Sequence, residues 1–540
     1  MTALAPAELA EIAPEPSSPL RRRAPGALWA LAIVLLLPAV TPIVYLLWTV
    51  LRPGGFDAGG VSVGRLIQLF GSTALLVVSV TLTTTLLGSA TAWLTTRTDI
   101  GGRRVWSTLL TLPLVIPSYV GALALLGVSG NDGLLSRGLV AVGGGPLPVF
   151  TGFWAAWAAL SLWNFSYVHL LAVPALRRMD PALEEAARSL GSSSRRTFFG
   201  VVLPQLRPAL LSGSLLVGLY VLSDFGAVSL LRYETFTRAI FTQFRGRLDV
   251  TPALFLSGVL VLVALVVVVA EQRARGRAAL YATKPSRRPA ITRLQGIRRF
   301  GAYLFLGAVV TGALVLPLLT LGWWTLRGMA LGNQAGTVLA ELSRSASVAG
   351  LAAVVTVAAA VPLAVLTVRY ANRRTAALES VAWMTYSLPH LAVGLGFLVL
   401  AVRFVPAIYQ TVVLLIIAYV AMFLPQALAA AQTGLRQIGP NLENASRGLG
   451  VGPLGTMWRV TVPLLGRSLL AGGALVFLTV MKELPATLLL RPTGFETLAV
   501  RIWSASSELF YTEASVGALV LVAVSALPLY LLVARDLHRT

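Results

Sequence analysis

The chain has 540 residues, of which 56% are hydrophobic and 12% charged, with a formal net charge of +22 and no cysteine. Apolar stretches of 18 or more residues recur throughout, so the chain reads as an all-α polytopic membrane protein; the alternating pattern of a β-barrel is absent. Disulfides and thiolate metal sites are excluded, and the positive charge points to basic cytoplasmic loops rather than to nucleic acid.

Residues 1–24, rich in Ala, Pro and Glu and closing on Arg21-Arg22-Arg23, read as a disordered cytoplasmic tail. The run from Ala27 to Val50 is too long for a signal-peptide core and is read as a retained first span, with a twin-arginine signal as the alternative. Hydropathy places twelve spans near 27–50, 68–96, 106–128, 149–173, 206–231, 252–271, 301–325, 346–368, 377–401, 407–431, 466–490 and 513–534. With the N-terminus inside, 30 of the 43 Lys and Arg residues fall in cytoplasmic segments, nine of them between Arg273 and Arg299. The positive-inside rule therefore puts both termini in the cytoplasm. The expected order is the tail 1–24, a first half 25–271, a basic cytoplasmic linker 272–300 and a second half 301–540.

The two halves are parallel copies of six spans each. Thr73-Ala74 through Arg97 matches Ser345-Ala346 through Arg369, and Ile116-Pro117 matches Leu388-Pro389, at an offset of 272 residues. Later segments match at 259, which places 13 extra residues in the external Gly-rich loop around Asn131 to Pro148. An even number of spans per half inserts both the same way up and implies a shared pathway where they meet.

The clearest repeat lies in two cytoplasmic loops: Asp180-Pro181-Ala182-Leu183-Glu184-Glu185-Ala186-Ala187-Arg188-Ser189-Leu190-Gly191, and Gly439-Pro440-Asn441-Leu442-Glu443-Asn444-Ala445-Ser446-Arg447-Gly448-Leu449-Gly450. Each reads as a short helix with Pro in its first turn, acids near its positive end and a Gly cap, followed by a second helix that runs into Pro204 or Pro463. At the same offset, Ser223-Asp224-Phe225-Gly226-Ala227 matches Lys482-Glu483-Leu484-Pro485-Ala486, so each half carries an acid beside a helix breaker. Intramembrane carboxylates are costly. Asp224 and Glu483 are read as lining a substrate pathway, or as internally paired packing groups. Glu234-Thr235 and Glu496-Thr497, offset by 262 beside aromatic residues, read either as an external gate or docking element or as segments resting on the membrane surface. His169 and His390 are not at equivalent repeat positions and are read as packing or local hydrogen-bonding groups rather than as metal ligands. No phosphate-binding loop and no Ser/His/Asp constellation is present.

Glu185-Ala186-Ala187, with Gly191 and then Val201, Leu203 and Pro204, resembles the signature of permease subunits of binding-protein-dependent ABC importers. The resemblance implies that these loops are coupling helices seated in clefts of a cytoplasmic ATPase. It marks Glu184, Glu185, Ala187, Gly191, Glu443, Asn444 and Gly450 as coupling positions, although Asn444 and Ser446 depart from the pattern. It further implies two copies of the ATPase, one extracytoplasmic solute-binding protein, and a place in the bacterial cytoplasmic (inner) membrane. ATP and Mg would be held by the ATPase, with no cofactor and no stable metal site on this chain, which would not itself be an enzyme. Two fused halves, and the stretch from Met481 to Pro492, are similar to the ferric-iron type; thiamine, polyamine and sulfate permeases share the framework. A gradient-driven secondary transporter is the competing class, for which the doubled loop has no evident use.

Overall fold

Proline and the intramembrane acids decide where the apolar runs break. The computed structural model describes residues 24–55, 60–246, 249–275, 291–330 and 336–537. The expected tail, Ala24 apart, and the middle of the 272–300 linker lie outside the described residues. The first half contains α1 (Gly26–Leu51), α2 (Val63–Arg97), α3 (Arg103–Thr111), α4 (Ser118–Val128), α5 (Phe153–Arg178), α6 (Pro181–Ser189), α7 (Leu203–Ser223), α8 (Gly226–Leu230), α9 (Phe236–Gly246) and α10 (Thr251–Arg275). The second contains α11 (Gly296–Val310), α12 (Leu316–Ala330), α13 (Gly336–Arg369), α14 (Arg373–Tyr386), α15 (His390–Phe404), α16 (Val412–Gln437), α17 (Pro440–Gly448), α18 (Val462–Met481), α19 (Pro485–Leu490), α20 (Leu498–Ser507) and α21 (Tyr511–Leu537).

All twelve expected spans are helical, but they are not twelve simple rods. Among the described residues, nine helices are long and apolar enough to cross a membrane unaided, the last segment being apolar over Tyr511–Ala526. The third and ninth expected spans are bent pairs, folded by 96° before Ser118 and by 101° before His390. Pro117 and Pro389 explain both bends, since a proline disfavours the helical conformation of the residue before it and supplies no amide to the ladder. The expected fifth and eleventh spans also end early: α7 stops at Ser223 and α18 at Met481, and short helices α8 and α19 resume beyond the acids. A π-turn precedes α7 (Phe198–Val202) and another precedes α18 (Met457–Thr461), so Pro204 and Pro463 are absorbed without a kinked α-helix.

Each half builds the same core: α2, α5 and α7 pack on one another, as do α13, α16 and α18. The outer helices cross over. α1 packs on α13, α15 and α16 of the second half, while α12 packs on α4 and α11 on α3 of the first. Helix α10 closes on α1, and α21 on α12, so the wrapping is symmetric. The far end of the linker is tied to the first half: Thr292 N donates to Arg97 O at 2.8 Å, and Leu294 N to Asp99 Oδ1 at 2.7 Å. The 13-residue insertion is also anchored, through Asp132, which pairs with Arg137 at 2.7 Å and with Arg327 of α12 at 3.2 Å.

Candidate functional site

The loop helices α6 and α17 emerge from one end of the bundle. Asp180 caps α6 by accepting from Ala182 N at 3.0 Å, and Pro181 fills the first turn, where a missing amide costs nothing. Gly191 and Gly450 end the two helices at φ 82° and 84°, a conformation that a side chain would strain. Within each loop, successive residues face opposite ways. Glu184 and Glu443 turn into the bundle, whereas Glu185, Asn444, Gly191 and Gly450 are exposed and Ala187 is half-buried. Glu184 and Glu443, grouped in the sequence with the outward positions, are therefore anchors rather than contact residues. The Glu184 Oε1 atom lies 2.9 Å from Arg97 Nη2 at the end of α2, and Glu443 accepts from Arg369 Nη2 at 3.0 Å and Nε at 3.2 Å at the end of α13. Both arginines follow the 272 offset and both acids the 259 offset, so the clasp itself is duplicated.

What these loops expose is apolar. Leu190 and Leu449 are each 86% exposed, and Leu183 and Leu442 are also exposed, at the same 259 offset. The four exposed leucines at symmetric points form two small apolar steps. Sequence reasoning passed over them in favour of the charged positions, although the offset alignment already contained them.

The acids in the bundle sit where the halves meet. Asp224 accepts from Ser118 Oγ, and its Oδ1 accepts from the amides of Ala227 at 3.1 Å and Val228 at 3.3 Å, capping α8. In the second half, Glu483 Oε1 accepts from Ala486 N at 3.1 Å, and Oε2 lies 2.9 Å from His390 Nδ1. Ser118 and His390 are equivalent in the 272 frame, each being the first residue after a broken-span proline. Each acid therefore ties its own broken fifth or eleventh span to its own broken third or ninth. The carboxylates turn toward their own halves rather than toward each other, and internal pairing describes their geometry. The residues beside them form the seam: a Cβ at Gly226 would lie 3.1 Å from Leu484 Cδ2 of the other half and 2.7 Å from Tyr119 Cβ. Lys482 donates across the seam to Leu114 O at 3.3 Å.

Deeper along the seam the halves differ. Tyr167 and Tyr220 meet in the first half with ring centroids 6.0 Å apart. Their 259-offset counterparts Gln426 and Thr479 form a chain instead: Thr479 donates to Gln426 Oε1 at 3.2 Å, and Gln426 donates to the Tyr386 hydroxyl at 3.0 Å. His169 is held by Thr91 at 3.0 Å, which accounts for it as a local hydrogen-bonding group. Among the described residues, no three His, Asp or Glu side chains come together as metal ligands.

At the opposite end of the bundle, α9 and α20 do not rest on the membrane surface. Phe236, Ile240, Leu498 and Ile502 are buried. Phe241 and Trp503, equivalent at the 262 offset, meet across the seam at 5.4 Å, and both stack on Phe225. This aromatic contact joins the two halves beside Asp224. Glu234 is paired with Arg65 and Arg238, and Glu496 with Arg491 and Arg501, so neither acid is free. Thr235 contacts Thr237 at 3.0 Å, whereas Thr497 caps α20 through Val500 N at 3.4 Å. Outside the aromatic contact lies a cavity of about 610 Å³ lined by Phe241, Arg491, Glu496, Arg501, Trp503 and Glu513, among others.

The family described as "Binding-protein-dependent transport system inner membrane component" matches this chain twice, over residues 84–272 and 357–535. The chain is 31% identical over 516 residues to the Fe(3+)-transport system permease protein FbpB 2 of Haemophilus influenzae, covering 95% of this chain and 98% of that one. It is 25% identical over 451 residues to the ferric transport system permease protein FbpB of Actinobacillus pleuropneumoniae, covering 79% of this chain and 65% of the relative. The sulfate transport system permease protein CysT of Salmonella typhimurium is 31% identical over 141 residues, or 26% of this chain and 50% of that one.

Proposed function

The chain belongs to the binding-protein-dependent transport inner membrane family, and from that premise we propose that it is the membrane-spanning permease of an ATP-driven ferric-iron importer. The observation that carries the reading is the symmetric pair of loops, each presenting exposed leucines and an exposed Gly cap on a helix anchored inward by a buried acid. Such a surface suits two copies of one ATPase, whose closure would draw α6 and α17 together. The termini and loops lie in the cytoplasm, and the cavity outside Phe241 and Trp503 receives substrate from one solute-binding protein. The chain itself holds neither ATP nor Mg and performs no hydrolysis.

The aromatic contact is the outer gate in this reading, and Asp224 and Glu483 flank the path just below it. Their role is to hold the four broken helices at the seam in a shape that can part, with hard oxygen atoms beside the path for a trivalent cation. Glu234 and Glu496 set the gate helices through their arginine pairs, and Thr235 and Thr497 fix the first turns. Iron is favoured over sulfate because the ferric relative matches almost end to end, whereas the sulfate relative matches a quarter of the chain. The test is co-purification with the ATPase, followed by Leu190→Glu and Leu449→Glu. The double variant should lose the ATPase while keeping the fold of the membrane domain; retention of the full complement of ATPase would refute the docking surface.

A further inference from the structure

We propose that α2 and α13 are the transmission rods of the protein, each fastened at both ends and carrying movement of a cytoplasmic loop to the outer gate on its own side; this rests on the ATPase-docking reading above. At the loop end, α2 is fastened by Arg97 to Glu184, and α13 by Arg369 to Glu443. At the other end, Thr73 Oγ1 of α2 accepts from Phe236 N at 3.2 Å, and Ser345 Oγ of α13 accepts from Leu498 N at 2.7 Å. Phe236 and Leu498 are the first residues of the gate helices α9 and α20. The fastening points on each rod are 24 residues apart, about 36 Å along a helix and slightly more than a hydrocarbon core.

A helix spans each interval without a break, although Pro362 removes one bond from the ladder of α13. Both hydroxyls are buried, and each satisfies a helix-start amide that has no partner inside its own helix. Displacement of the loop helix is thus delivered to the first turn of the gate helix, where Tyr233 donating to Ser72 O at 2.9 Å and Arg501 beside Glu341 at 3.7 Å reinforce the two fastenings. In the first half the chain of contacts continues: Thr237 of α9 donates to Asp224 O at 2.6 Å, joining the gate helix to the broken span that carries the acid. Ala499 stands at the equivalent place in the second half, which therefore ends its linkage at the gate.

The absence of cysteine lets Thr242→Cys on α9 and Ser507→Cys on α20 carry a single pair of spin labels. The distance between them is measured in the assembled complex, without nucleotide and with ATP plus vanadate. The parent should show a nucleotide-driven change. Thr73→Val with Ser345→Ala should abolish it and lower transport at least about fivefold while the ATPase stays bound and active. Thr73→Ser with Ser345→Thr, which keep the acceptors, should restore both. An unchanged distance response in the Val/Ala variant overturns the proposal, as does failure of the Ser/Thr variant to restore it. A parent with no bound ATPase removes the docking reading and the rods with it; a parent that binds the ATPase normally but shows no nucleotide-driven change removes the rods alone.

Discussion

Truncating Glu184 to Ala is the change whose cost the structure defines most closely. Arg97 is 1% exposed, its Nε and Nη1 atoms have no hydrogen-bond partner among the described residues, and its Nη2 lies beside Glu184 and 3.2 Å from the Met179 sulfur. Removing the carboxylate leaves a buried guanidinium without a counter-charge, and breaking a buried pair in this way costs about 3–5 kcal/mol. The second clasp is wetter and better bonded: the side chains of Arg369 and Glu443 are 17% and 10% exposed, and Arg369 also donates to Ile438 O at 3.0 Å. Glu443→Ala should therefore cost roughly 2 kcal/mol, because water and that carbonyl remain available to the arginine. The cost falls on local opening of the loop, which hydrogen exchange of the amides from Ala182 to Thr197 reports. A loss of about 3 kcal/mol speeds exchange there by roughly a hundredfold, against about thirtyfold for the second loop after Glu443→Ala. Arg97→Met with Glu184→Leu should recover most of the protection, since paired apolar replacements remove the desolvation cost as well. Exchange within about threefold of the parent in Glu184→Ala would show that the clasp does not hold the loop.

Four other outcomes follow from the same contacts. Gly226→Val should prevent normal packing of the seam, because its Cβ meets Tyr119 and Leu484; the expected loss is about 2–4 kcal/mol, and a melting temperature within a degree of the parent would contradict it. His390→Ser, which copies the arrangement at Ser118, should be tolerated better than His390→Ala, which strips the Glu483 Oε2 atom of its partner; equal loss of transport in the two variants would argue against the pairing. Gly191→Ala should cost about 1 kcal/mol through its positive φ alone, since nothing lies within 4 Å of the added carbon, and a larger fall in loop protection would mean a contact that this geometry lacks. Asp224→Asn keeps the shape of the α8 cap and removes the charge, so it should slow iron uptake while leaving assembly intact; full uptake would make the acid structural only.

The duplicated loops and broken helices were legible because each depends on local chemistry. Gly191 and Gly450 mark the caps and the acids at 224 and 483 the ends of α7 and α18, whereas the bends at Pro117 and Pro389 fell inside segments read as simple spans because hydropathy runs through them unbroken. The partner of each acid was less visible, because Ser118 and His390 follow the 272 frame while the acids follow the 259 frame. The contact crosses two offsets that the sequence separates by an insertion. Differences between neighbouring positions were also hidden: Glu184 and Glu185 look alike on a nine-residue helix, yet one meets Arg97 and the other faces outward. The crossing of α1 and α11 onto the opposite half has no signature in hydropathy, which reports that a helix is buried in lipid or protein but not against which neighbour.

Inward passage of ferric iron at the expense of ATP bound elsewhere can be tested on the reconstituted system. The most direct measurement is uptake of radiolabelled ferric ion into liposomes that hold the chain and its ATPase, with the loaded binding protein outside. Uptake should require both the binding protein and internal ATP, ignore an imposed proton or sodium gradient, and be lost in Leu190→Glu with Leu449→Glu. Uptake driven by an ion gradient without ATP, or ATP-driven uptake of sulfate, thiamine or a polyamine but not of iron, would contradict the proposed function.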